Sequence, residues 1–390
     1  MKKYLPFFLL FLLFITTIGA IWDIWSHNAN ILETFWTPSH ALIYFSVAGV
    51  GFTILGVVIY ESVKLGRFSP AEIPNVKGLA LAGSGSVFQL LAGVSDDIYH
   101  NIFGFDVTMW SPPHVAVIFG AFVTVLGVFE LRDENSEIRH FISSILAISM
   151  GIVFYFFSTL EYEMNFQHYT LTMEDKNWDL IHRWQPYGAY LSIMIIPVLT
   201  YGITLATKKF NFAVGTIVTS IVFFIKYLMF LWYNGTILDM YFPLLLPLCG
   251  IVFDLLYLKC KNWAYRFYAA NIGMGVTLIA LTEIQNPLPT TWNSLLISLI
   301  GVLILSIAFT RFALNGISLK GYHHVIALFL IVLSVPTLAF AHEKTETIVP
   351  VEKIAPDLHP LWILLEFFII LYAGYKLAHL LVTINRPKKD

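Results

Sequence analysis

Charge is what this sequence has least of. Of 390 residues only 12% are Asp, Glu, Lys or Arg, against 57% hydrophobic, and the mean hydropathy is +0.73. Soluble domains carry about 25% charged residues, so a soluble globule is excluded and the chain reads as a polytopic membrane protein. Cysteine is almost absent. Cys249 and Cys260 are the two present, and their spacing suits neither a disulfide framework nor a thiolate metal site. There is no phosphate-binding glycine loop and no basic patch on the outer segments, which argues against nucleotide and nucleic-acid partners. No flavin, haem or iron–sulfur motif is written, so any redox chemistry would need electrons from elsewhere. The longest outer segments, 161–184 and 342–359, are too small to fold alone, which excludes a soluble catalytic domain.

What is there is a series of apolar stretches, each about the 20 residues that cross a bilayer as helix. They run over 4–22, 40–61, 78–100, 113–131, 141–160, 185–206, 212–233, 240–258, 266–284, 292–311, 320–341 and 360–384. The expectation is an all-α, polytopic membrane helix bundle of about twelve spans built from repeated two-helix hairpins. Residues 1–206 hold the hairpins with candidate metal ligands, 207–341 further spans, and 342–390 an outer loop and a last span. The first stretch, MKKYLPFFLLFLLFITTIGA, has Ile18 where a small residue would precede a cleavage site. It is expected to be retained as a span.

If the N-terminus is cytoplasmic, 17 of the 23 lysines and arginines fall in inner segments, so both termini are expected to be cytoplasmic. Histidine has the opposite bias. Eight of 12 (His27, His40, His100, His114, His168, His182, His342 and His359) fall at the outer face, with most of the acids. Imidazoles and carboxylates therefore gather where few cations compete for a metal ion.

Two hairpins write that gathering in the same way. Asp23 and His27 are four apart at the end of span 1, and Thr37-Pro38-Ser39-His40 opens span 2. Residues four apart share a helix face. Thr37 suits an N-cap and Pro38 the first helical position, which puts His40 in the first turn, facing the Asp23 and His27 end of its neighbour. Asp96 and His100 repeat the pair, and Ser111-Pro112-Pro113-His114 repeats the helix start. Two imidazoles and a carboxylate suit a divalent transition metal, with copper or zinc first. The same residues could instead cap helices and hydrogen-bond one another as a polar plug.

The first motif resembles the metal-binding signature in the C subunit of the copper membrane monooxygenases, the particulate methane and ammonia monooxygenases. In that family an Asp-x-x-x-His pair on one transmembrane helix and the His of a Thr-Pro-Ser-His helix start bind copper near the outer face. The resemblance implies that Asp23, His27 and His40 hold one copper. The second copy is similar but less close, since Ser-Pro-Pro-His replaces Thr-Pro-Ser-His and the connection is one residue longer. It implies a second copper on Asp96, His100 and His114. It further implies partner membrane subunits, an electron donor, and dioxygen chemistry on a small apolar substrate arriving through the bilayer. The resemblance is confined to the hairpin mouths, and the family's C subunit is shorter and carries a single such site.

Other residues are weighed beside these. LEYEMNFQH and HRWQPYGAY form a third hairpin in which Gly188 stands where His40 would and Met164 replaces the acid. Glu161, Glu163, His168 and His182 are there a separate site, support for the others or a solvated rim. Lys226 and Glu366 fall inside spans, where a charge implies a partner or pathway, with snorkelling as the plain alternative for Lys226. Trp36 and Trp110 are belt residues or pocket walls. Three classes stay open: a copper monooxygenase-like oxidase, a copper or zinc receptor or transporter, and a non-catalytic subunit of a membrane complex. Transport would need a polar path towards the cytoplasm, and Asp254 is the main residue that offers one.

Overall fold

The computed structural model describes residues 4–28, 36–103, 112–131, 136–157, 198–211, 213–234, 245–285 and 292–315. Among the described residues all regular structure is helical: α1 (Leu5–Asn28), α2 (Pro38–Leu65), α3 (Val76–Phe103), α4 (Pro112–Glu130), α5 (Glu137–Phe157), α6 (198–210), α7 (Val214–Asn234), α8 (Leu246–Lys259), α9 (Trp263–Gln285) and α10 (Trp292–Asn315). These helices fall on the first ten apolar stretches of the sequence. The stretches at 320–341 and 360–384 lie outside the described residues. Leu5–Asp23, Pro38–Leu65 and Val76–Tyr99 are long and apolar enough to cross a membrane. The chain divides into two compact units, with the boundary between Ser143 and Ser144 inside α5.

In the first unit the ends of α2 follow from local sequence. Thr37 is its N-cap and Pro38 opens it, but the cap is made by the backbone, with Ala41 N–H donating to the Thr37 carbonyl at 2.8 Å. No side-chain bond caps the helix at Thr37. At the other end Gly66 takes a φ of 68°, a left-handed conformation that a Cβ resists. It lets the N–H groups of Gly66 and Arg67 return to the Val63 and Ser62 carbonyls, closing the helix as glycine caps do.

Small residues set how closely neighbouring helices approach. Along α1 and α2, Leu12 meets Gly49, Thr16 meets Ser46 and Gly19 meets Ile43, an antiparallel seam in steps of three and four. Along α3 and α4 the seam is tighter. Gly78, Ala82, Gly85 and Gln89 face Gly120, Thr124, Gly127 and Leu131. A Cβ on Gly85 would stand 2.5 Å from the Thr124 nitrogen, and one on Gly127 would overlap the Ala82 nitrogen. In lipid no hydrophobic force drives helices together, so such close packing supplies the attraction.

The second unit is held by polar contacts between helices. Asn271 Nδ2 on α9 donates to Thr204 Oγ1 on α6 at 2.8 Å and to Thr310 Oγ1 on α10 at 2.6 Å. Lys208 Nζ donates to the Ala313 and Leu314 carbonyls at the end of α10, where a cation is favoured. Asp254 on α8 accepts from the backbone N–H groups of Gly215 at 3.0 Å and Thr216 at 2.8 Å, and from the Thr216 hydroxyl at 2.7 Å. It caps α7 from a neighbouring helix, in place of Ala213, which has no side-chain acceptor. Asp254 therefore has a structural occupation as a helix cap. Lys226 is 4% exposed.

Candidate metal centre

Both seams of the first unit end in a carboxylate. Asp23 lies seven residues beyond Thr16, and Asp96 seven beyond Gln89, so each acid sits on the packed face of its helix. On the partner helix the first turn brings a histidine to that height. The Nε2 of His40 lies 2.7 Å from Asp23 Oδ1, with both side chains largely enclosed. Close approach makes this reach achievable for a short Asp, since Gly19, four residues earlier, already touches the Ser39 carbonyl and Ile43. Ser39, 1% exposed, also donates its hydroxyl to Asp23 Oδ1, at 3.3 Å.

The second hairpin keeps the pair and loosens it. His114 Nε2 lies 3.5 Å from Asp96 Oδ1. At the position of Ser39 stands Pro113, which has neither a hydroxyl nor an N–H to give. His27 and His100 are carried in α1 and α3, each four residues after its acid, and their side chains lie outside the described residues. So do Asp106, Trp110, Glu161, Glu163, His168, His182 and Glu366. Among the described residues no group of three or more His, Cys, Asp or Glu side chains gathers. What is gathered is one oxygen donor and one nitrogen donor per hairpin.

The separations can be tested against a bound ion. Bonds of about 2.0–2.1 Å place two donors about 2.9 Å apart at a right angle and about 3.4 Å apart at a tetrahedral angle. The 3.5 Å in the second hairpin is too long for a strong N–H···O bond and matches the tetrahedral edge. The 2.7 Å in the first is a short hydrogen bond and needs to open by only a few tenths of an ångström. Both separations are compatible with two ligands of one ion, but among the described residues each hairpin brings together only these two donors.

Three features of this region escape sequence reading. Below each acid lies a buried polar rung: Thr16 and Ser46 share a hydrogen bond of 2.8 Å, and Gln89 Nε2 donates to Thr124 Oγ1 at 3.0 Å. Their seven-residue offset from the acids was the available signal. Ser39 was visible in the motif, though not its bond to Asp23. Tyr44, one turn beyond His40, stacks obliquely on it with ring centroids 5.9 Å apart. Its ring also lies over Gly93 of α3, where a Cβ would stand 2.6 Å from Tyr44 Cε1. Gly93 precedes Asp96 by three residues, so Tyr44 touches α3 about one helical turn before that acid. Trp36 is 69% exposed.

Set against known protein families, curated proteins and solved structures, the chain matches none of them.

Proposed function

We propose that this chain is an integral membrane metalloprotein that binds copper, with zinc as the alternative, at two Asp/His/His sites near the extracytoplasmic face. The ligands would be Asp23, His27 and His40 in the first and Asp96, His100 and His114 in the second. One observation carries the reading: the acid of one helix meets the first-turn imidazole of the next at equivalent seam positions in two successive hairpins. In this reading the chain has about twelve spans, both termini are cytoplasmic, and the hairpin is its repeating unit.

The similarity to the copper membrane monooxygenases makes oxidation of a small apolar substrate from the bilayer the leading activity. Copper, when bound, supplies the redox chemistry toward dioxygen. The protein's own part is to hold carboxylate and imidazoles at fixed separation, with Tyr44 stacked on His40, and to admit partner subunits that bring electrons. Transport is less favoured, because no charged residue occurs at 47–60 or 78–95, where an inward path through the first unit would need relays.

A second reading has its own support. The 2.7 Å contact between His40 and Asp23 already pairs the two groups, as a metal-free clamp closing the hairpin would. Elemental analysis of gently extracted membranes separates the two. The metal reading expects one to two copper equivalents per chain, partly lost in His27→Ala and in His100→Ala. Absence of metal from the wild type supports the clamp, and full metal content in the double variant overturns the ligand assignment.

A further inference from the structure

One face of α8 is taken up by its neighbours: Gly250 meets Gly215 and Thr219 of α7, and Leu256 meets Gly273 of α9. On the other side Leu248, Ile251, Leu255 and Leu258 are exposed, and steps of three and four put them in one stripe. From Leu248 to Leu258 the axis rises about 15 Å, about half the hydrocarbon thickness of a bilayer. The stripe is as long as one leaflet is deep.

It ends in positive charge. Lys259 and Lys261 are exposed just beyond it, and Arg266 reaches back from the first turn of α9, its Nε donating to the Cys260 carbonyl at 2.8 Å and its guanidinium 5.6 Å from the centre of the Tyr257 ring. The fork is thereby anchored at the end of α8, and among the described residues its Nη groups have no protein acceptor and neither lysine has an ion-pair partner. No acid occurs between Asp254 and Glu283, and the Asp254 oxygens are committed to α7. Trp263 and Tyr265, both exposed, flank the cluster with side chains that favour the headgroup layer. Basic residues at the end of a span are common, but the others in this protein are occupied: Arg67 pairs with Glu72, Lys77 pairs with Glu130, and Lys208 donates to the end of α10.

We propose that this end of α8 and α9 binds one phospholipid with a net negative headgroup, its phosphate held by Lys259, Lys261 and Arg266 and an acyl chain laid along the stripe from Leu248 to Leu258. Arginine offers phosphate a planar pair of donors, and the lysines add charge that nothing else neutralises. A zwitterionic headgroup brings a cation of its own into the cluster, so the site selects by charge. The inference rests on α8 and α9 lying in the bilayer and is independent of the metal reading.

The test is native mass spectrometry of the full-length protein released from nanodiscs of phosphatidylcholine with added phosphatidylglycerol. Wild type is expected to retain one phosphatidylglycerol, at least tenfold in preference to phosphatidylcholine. Lys259→Gln/Lys261→Gln, which changes two exposed side chains and disturbs no packing, weakens retention about 25-fold, or about fivefold per lysine. Lys64→Gln/Arg67→Gln, an equal loss of charge at the end of α2, leaves it unchanged. Equal retention of the two lipids by wild type, unaltered retention in Lys259→Gln/Lys261→Gln, or an equal loss in Lys64→Gln/Arg67→Gln overturns the inference. So does displacement of the lipid by inorganic phosphate, which would make the ligand a soluble anion.

Discussion

The two hairpins of the first unit achieve similar mouths by different means. In α1 and α2 the helices meet through side chains, Leu12 on Gly49 and Gly19 on Ile43, with a hydroxyl pair between them and a serine securing the acid. In α3 and α4 they meet through backbone, glycine against glycine at Gly78 and Gly127, and a long glutamine crosses the seam instead. The closer the backbones come, the less room side chains have to adjust. The first hairpin is thus looser along its length than the second, while at the mouths the acid–imidazole separation is 2.7 Å in the first and 3.5 Å in the second.

The largest effect that can break this contrast is steric. Gly127→Leu is expected to destabilise by at least the about 3 kcal/mol that heads the usual overpacking range, because the atom it meets is Ala82 backbone. Gly19→Leu should cost less, since a Cβ there would stand 2.8 Å from Ile43 Cγ1 and no nearer than 3.1 Å to backbone. Thermal melting of helical circular dichroism in detergent measures both, and equal losses would erase the distinction. Next come the acids. Asp23→Ala strips an acceptor from His40 and Ser39 and should cost about 1–3 kcal/mol, with Asp96→Ala about half as much. Apparent melting temperatures at one detergent concentration give the order, and a larger loss at Asp96 would reverse the comparison. The smallest effect sharpens it: a double-mutant cycle on Thr16→Val and Ser46→Ala should give a coupling of about 0.6 kcal/mol, the usual value between membrane helices. A cycle on Gln89→Leu and Thr124→Val is expected to match it.

Helix positions could be read from the sequence because each apolar stretch reports on itself. The start of α2 was equally legible, since Pro38 can only stand at a helix entrance. Pairing of Asp23 with His40 and of Asp96 with His114 was legible in part, because four-residue spacing and a short connection leave few other arrangements. What the sequence concealed is long-range. Nothing local to Tyr44 points to Gly93, and nothing around Thr204 names Asn271 and Thr310 as its partners. Asp254 is the instructive case. As a lone acid near the inner end of a span it had no assigned partner, whereas its two oxygens are taken up by the first turn of another helix.

That arrangement also bears on how the protein is made. The opening amides of α7 have no acceptor of their own to satisfy them, and the residue that does so is synthesised 38 positions after Thr216. Until α8 has left the ribosome, α7 exposes bare N–H groups that a lipid environment penalises. The two helices are therefore expected to settle as a pair, and a chain stalled between residues 234 and 254 would lack the acceptor that caps α7.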